Sequence, residues 1–220
     1  MMLNYKGVRI SWLGHDGFLF EHERRRIAID PFKITHSPPC DAVLLTHDHF
    51  DHCSPPDVKK LLGPEGFILA PKECEPHVAR LAPVTLLKPG EHFKNGWFAV
   101  KAVPAYNVNK YRDLATKTVF HPKSDGKLGF LITFGGVTFY HAGDTDRIPE
   151  MTKITCDVAL LPVSGTYVMT AEEAAAAARA IKPKIVIPMH YGSIVGNETD
   201  AVNLRHLLGA KITVEVLEKE

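Results

Sequence analysis

Residues 47–52, HDHFDH, put three imidazoles and two carboxylates into six consecutive positions. They follow an apolar run, Ala42, Val43, Leu44 and Leu45, whose length and branching fit a buried strand, so the polar cluster falls where a strand leaves its sheet. That is where α/β proteins keep their sites. His47, His49, Asp51 and His52 are all ligand types for divalent metals, and desolvating so many ionisable groups without a cation would be costly. Imidazole and carboxylate together suit zinc, with iron or manganese as alternatives. His47 and His49, two apart in extended chain, project the same way and can hold one metal, while Asp51 and His52 turn to a second. The spacing implies two ions.

Other residues join them. His15, between Gly14 and Asp16, is a candidate for substrate contact or proton transfer, its alternative being a loop histidine bonded to backbone. His190 is a further ligand-type residue at the exit of an apolar run. Cys53, directly after His52, reads as a small buried residue behind the loop. Residues 104–127 form a long irregular connection carrying Tyr106, Asn107, Lys110, Tyr111, Arg112, His121 and Lys123, a mixture suited to holding an anionic or polar small-molecule substrate over the metals.

HxHxDH after an apolar strand resembles the signature of the metallo-β-lactamase superfamily, whose other landmarks appear in order: Asp30-Pro31 after a strand, Asp144 in HAGDT, and His190 in PMHYG. The likeness runs from SWLGH at residues 11–15 to IVIPMHYG. The wording VPAYN, HPK, YHAGDTD, LPVSGTY and EEAAAAA is similar to a subgroup of small metal-dependent hydrolases related to L-ascorbate-6-phosphate lactonase and, more distantly, to phospholipase D acting on N-acyl phosphatidylethanolamine. The resemblance implies a four-layer αββα sandwich. It also implies His47 and His49 on a first metal, Asp51, His52 and His190 on a second, and Asp144 between them. Asp30 would hydrogen-bond the metal loop without touching metal, and Asp51 would also orient the attacking hydroxide. One ligand departs from the pattern. The third histidine of the first site is expected at the end of the strand near residues 98–106, and this chain has Asn107 there. His121, from the HPK of the long connection, is slightly favoured as its replacement over Asn107 or a water.

The elements that must position these residues alternate. Residues 8–12, 18–21 and 26–30 read as an antiparallel start. Ser54 caps a helix with Pro55 in its first turn, 67–70 is a strand, 71–81 a poorer helix, and 84–87 and 97–103 are strands. Gly135-Gly136 joins the strands 128–134 and 137–140 in a two-residue turn. Thr170-x-x-Glu173 is a capping box opening an alanine-rich helix through Ile181. Strands 158–161 and 185–189, a helix over 199–208 and a final strand over 211–217 complete an α/β layering.

At 220 residues, with 45% hydrophobic and 23% charged, the chain suits one α/β domain over residues 1–220. A net charge of +1 gives no pull toward nucleic acid. No stretch reaches the roughly 20 apolar residues of a membrane span, and the N-terminus lacks an apolar leader, so a cytoplasmic protein is expected. The four cysteines suggest neither a zinc knuckle nor a disulfide framework. The leading reading is a hydrolase using a metal-activated hydroxide on a small ester, lactone or phosphorus ester. An iron redox protein on the same fold and a non-catalytic metal-binding protein are the alternatives.

Overall fold

The computed structural model describes residues 2–35 and 37–220. The first half contains β1 (Leu3–Tyr5), β2 (Val8–Gly14), β3 (Gly17–His22), β4 (Arg25–Ile29), β5 (Cys40–Leu44), α1 (Pro55–Leu61), β6 (Leu62–Ala70), α2 (Glu75–Val78) and β7 (Val84–Leu86). The second contains β8 (His92–Lys94), β9 (Phe98–Pro104), β10 (Tyr111–Asp113), β11 (Thr118–Val119), β12 (Leu128–Phe134), β13 (Val137–His141), β14 (Val158–Pro162), α3 (Ala171–Ile181), β15 (Ile185–Met189), α4 (Glu198–Leu208) and β16 (Thr213–Val214).

Each half builds one seven-stranded sheet, ordered β1-β2-β3-β4-β5-β6-β7 and β16-β15-β14-β13-β12-β9-β8. In the first, β1 to β4 pair antiparallel and β4 to β7 parallel. In the second, β8, β9, β12 and β13 pair antiparallel and β13 to β16 parallel. The consequence is directional: β2, β4 and β5 run the same way in one sheet, and β9, β13, β14 and β15 in the other. Their C-terminal ends therefore collect at one edge of each sheet.

Strand alternation sorts the side chains by layer. Ile27 and Ile29 of β4 and Ala42 and Leu44 of β5 face the second sheet, where they join Phe130, Ile132 and Phe139 in one core. Phe20 and Phe139 meet across the two sheets with ring centroids 4.8 Å apart. Ala28 and Val43 point the other way, against Val58 and Leu61 of α1 and Val78 of α2. On the far side, α3 lies against the second sheet, and Ala174, Ala175, Ala177 and Ala178 are fully buried. Small side chains let the helix approach closely. The result is the four-layer αββα sandwich of the metallo-β-lactamase type.

Local signals held where backbone chemistry dictates them. The Gly135-Gly136 turn has φ of 55° and 75° at its two residues, the left-handed pair that a tight hairpin with the sheet's twist requires. The capping box forms, with Thr170 Oγ1 accepting from Glu173 N at 3.2 Å and Glu173 Oε2 from Thr170 N at 2.9 Å. Elsewhere the elements differ from expectation. The helix over 71–81 is a 3-10 turn at Lys72–Cys74 followed by the single turn of α2, since Pro76 has no N–H to continue an unbroken helix. The strand over 211–217 shrinks to β16; beyond it the tail leaves the sheet, and Glu220 N donates to Trp12 O at 3.0 Å beside β2. The connection 104–127 contains the hairpin β10–β11. Among the described residues no helix is long and apolar enough to cross a membrane.

Ser54 does not cap α1 through its own oxygen; its hydroxyl donates to Asp57 Oδ2 at 2.7 Å. Asp57 also accepts Lys33 N at 2.9 Å, Ile34 N at 3.1 Å and Lys60 Nζ at 3.1 Å, tying the chain after Asp30 to α1. Burial opposes its charge, but these donors outweigh it and hold the carboxyl below its usual value. Asp57→Ala should therefore cost about 1–3 kcal/mol in urea unfolding at pH 7. Because the folded-state value is lowered, the difference from wild type should persist above roughly pH 4 and shrink as acid protonates the carboxylate.

Candidate metal centre

The strand ends deliver the site. His15 and Asp16 occupy the turn after β2, Asp30 follows β4, residues 46–52 follow β5, Asp144 follows β13, and His190 follows β15. Asp144 is the centre. Buried to 3% exposure, its carboxylate lies 3.3 Å from His190 Nε2, 3.4 Å from His52 Nε2, 3.8 Å from His121 Nε2 and 3.9 Å from His47 Nε2. Burial alone would favour its neutral form, but the surrounding imidazoles prevail and keep it well below the usual carboxylate range. Gly143 sets its position: φ there is 64°, and a Cβ would stand 2.5 Å from the Leu128 carbonyl.

Two ligand-type groups share this centre. His47, His49, His121 and Asp144 form one; His15, Asp16, His52 and His190 form the other. Their lone pairs are aimed by partners behind them. Asp30 accepts Thr46 N at 2.8 Å, the Thr46 hydroxyl, and His52 Nδ1–H at 2.8 Å, which turns His52 Nε2 toward Asp144. With its one hydrogen given to Asp30, Thr46 Oγ1 accepts His47 Nδ1–H at 3.0 Å, so His47 Nε2 carries a lone pair. Likewise Ser164 donates to Thr166 O and accepts His190 Nδ1–H at 3.0 Å, leaving His190 Nε2 facing inward.

Whether these residues fit a metal can be tested on their unmet bonds. Among the described residues, the buried side-chain atoms without a hydrogen-bond partner are His15 Nδ1, both Asp16 oxygens, His52 Nε2, His121 Nδ1, Asp144 Oδ1 and Tyr191 OH. All but the last belong to this centre. Such atoms destabilise a fold unless something satisfies them. His47 Nε2 also stands 3.0 Å from His49 Nδ1, near enough for both nitrogens to reach one zinc ion at about 2.0–2.1 Å each. The residues fit divalent cations.

The predicted residues mostly converge, with changes of detail. His121, not Asn107, stands beside His47, His49 and Asp144. Asn107 uses its amide for structure: Nδ2 donates to Asp146 Oδ1 at 3.1 Å and Tyr167 O at 2.7 Å, and Oδ1 accepts His121 N at 3.0 Å. It positions the backbone of His121. Burial lowers the His121 pKa to about 4, which keeps the imidazole neutral. Asp51 lies outside both groups; it accepts His15 Nε2–H at 3.0 Å and stands 3.8 Å from His52 Nε2. Burial likewise holds His15 neutral. Asp30 has the supporting place the resemblance implied. Cys53 is buried and free.

Asp16 was missed as a member of the site. It is fully buried beside His52 Nδ1 at 3.7 Å, and burial pushes its carboxyl well up. The only signal was an acid between His15 and Gly17. Asp146 was also missed; it accepts Val108 N, Asn109 N and the Asn107 amide, fixing the entry to the long connection. Two of the cations of that connection are engaged elsewhere. Lys110 pairs with Glu173 at 2.7 Å and Lys123 with Glu150 at 2.7 Å, so neither is aimed over the metal groups.

Comparison with known proteins agrees with this geometry. The model of the β-lactamase superfamily domain matches residues 9–190. A UPF0173 metal-dependent hydrolase of Pyrococcus abyssi is 31% identical over 96% of this chain and 96% of its own. One of Archaeoglobus fulgidus is 32% identical over 96% and 95%. A crystal structure from Parabacteroides distasonis superposes with a TM-score of 0.84 at 30% identity, covering 100% of this chain and 98% of that one. Igni18, a metallo hydrolase from Ignicoccus hospitalis, shares the fold with a TM-score of 0.76 at 22% identity over 96% and 95% of the two chains. A buried His/Asp centre at the shared edge of two sheets, matched along nearly the whole chain, places this protein in the β-lactamase superfamily, among the UPF0173 metal-dependent hydrolases.

Proposed function

We propose that this hydrolase is binuclear, with one divalent cation on His47, His49 and His121, a second on His52 and His190 with Asp51 and Asp16 as oxygen donors, and Asp144 shared by both. The observation that supports it is the concentration of buried, unpartnered donor atoms around Asp144. Zinc suits the imidazole-rich side, and the carboxylate-rich side would also take manganese or iron. Two such cations supply Lewis acidity toward a carbonyl or phosphoryl oxygen and bring the pKa of a water toward neutrality.

The chain's own groups do the rest. Asp51, at the open side of the site, orients the attacking water and accepts its hydrogen bond. His15 holds Asp51 in place through Nε2–H and keeps Nδ1 free to take up a proton. Asp30, Thr46 and Ser164 hold the Nδ1–H groups of His52, His47 and His190, so that the Nε2 atoms are the ones turned inward to a metal. The substrates of this reading are small esters, lactones or phosphorus esters, which share the need for an activated water, and a relation to L-ascorbate-6-phosphate lactonase is part of it.

Elemental analysis of wild type should find two ions per chain, and His121→Ala should retain about one. Hydrolysis of generic lactone and phosphodiester substrates should fall in His121→Ala by more than the roughly 10–100-fold that loss of a supporting partner costs. Asn107→Ala, which frees the His121 backbone, should fall within that range. Wild type without metal or turnover, or a His121→Ala protein with both ions and full activity, would contradict the reading.

A proton count tests the same centre independently of turnover. Without metal, burial works against a charge on His52 and His190, yet the Asp144 carboxylate beside them overrides it and raises both. Cation binding must expel those protons, so affinity should weaken as pH falls. Titration calorimetry at pH 7 in buffers of different ionisation enthalpy should report about one to two protons released per chain. Proton-neutral binding would remove these histidines from the ligand set.

A further inference from the structure

Above the metal groups the chain opens into a cleft of about 480 Å³ whose floor is His49, His121, Asp144 and His190. Its walls are Phe50, Phe120, Tyr167 and Ile194. Phe50 is 68% exposed and Ile194 42%, so large apolar surface stands in water at the entrance. Exposed apolar groups gathered around one opening point to a ligand surface, whereas scattered ones do not. The walls are also braced. Phe120 packs edge-on against Tyr167 at 4.6 Å between centroids, and Phe50 against Phe32 at 5.7 Å. Tyr167 has φ of 67°, a strained backbone for a bulky residue, held where its carbonyl accepts the Asn107 amide.

The charges of the cleft point the same way. Among the described residues no lysine or arginine lines it; its charged members besides the histidines are Asp48, Asp51 and Asp144. Lys127, beside Asp48, is buried between that carboxylate at 3.2 Å and Glu73 at 3.1 Å. An anionic group at the far end of a substrate, away from the metal groups, would meet Asp48 and aromatic rings with no lysine or arginine in the lining to neutralise it. We propose that the Phe50–Phe120–Tyr167–Ile194 cleft is a subsite for the apolar chain or ring of an uncharged carboxylic ester or lactone, whose carbonyl lies over the metal groups. This rests on the hydrolase reading above, narrows its substrates to uncharged esters and lactones in place of phosphorylated ones, and replaces the anionic substrate that the lysines of residues 104–127 suggested.

The test uses metal-loaded protein and two readouts. The first is binding of straight-chain primary amides from four to ten carbons, which mimic the ester without being cleaved as readily, measured by calorimetry in wild type and Phe50→Ser. Affinity should rise about two- to threefold per added methylene in wild type, as partial burial predicts, and the slope should flatten in Phe50→Ser. Analogues ending in a carboxylate should bind at least tenfold more weakly than their uncharged counterparts. The second is kcat/KM for lactones of matched chain length, which should follow the same slope. A flat wild-type series, tighter binding of the carboxylates, or a dimer that Phe50→Ser dissociates would overturn the subsite. Equal turnover of short and long lactones would sink the subsite and leave the hydrolase standing; a binding slope with no turnover of any lactone, ester or phosphodiester would do the reverse.

Discussion

A carboxylate buried among four imidazoles governs this structure. Among the described residues Asp144 has no direct cationic partner of fixed charge, and the groups around it compete for protons with each other and with any metal that arrives. A folded domain holds such a group by pinning its neighbours, because a free imidazole would turn away and leave the charge uncompensated. Each sheet contributes part of the pinning. The first supplies His47 and His52 from the loop after β5, and the second supplies Asp144 and His190 from β13 and β15. The face-to-face core, with Phe20 against Phe139, fixes their relative position.

The pinning is done by ordinary hydrogen bonds one step behind the site. One carboxylate, Asp30, orients His52 directly and His47 through the Thr46 hydroxyl. Ser164 does the same for His190. At the back, the His15 carbonyl accepts both Trp12 Nε1 at 2.9 Å and His190 N at 3.1 Å, so the turn after β2 and the end of β15 are held as one piece. Tyr191 stacks on Trp12 at 4.8 Å and seals that joint. Protein groups thus select the nitrogen that His47, His52 and His190 present, which is how a metal centre is preorganised before an ion is bound.

Much of this was legible in the sequence, because its signals are local. A ligand cluster at a strand exit, a pair of glycines between alternating strands, and a threonine three residues before a glutamate each specify their own geometry. What escaped depends on contacts distant in sequence. Asp16 reads as a turn residue until the fold brings it against His52, 36 residues away. Asn107 reads as a weak ligand until its amide is found bonded to Asp146, Tyr167 and His121. Lys110 and Lys123 read as substrate groups because their carboxylate partners, Glu173 and Glu150, lie far along the chain. The apolar wall of the cleft was invisible for the same reason: Phe50, Phe120, Tyr167 and Ile194 come from four separate loops.

The proposed centre holds two cations, one on either side of Asp144. Anomalous diffraction from crystals of the purified protein, collected above and below the absorption edge of each metal found, tests it most directly. Two peaks are expected, one among His47, His49 and His121 and one beside His52 and His190, with the Asp144 carboxylate between them. A single peak on one side, or none in protein that hydrolyses substrate, would contradict it.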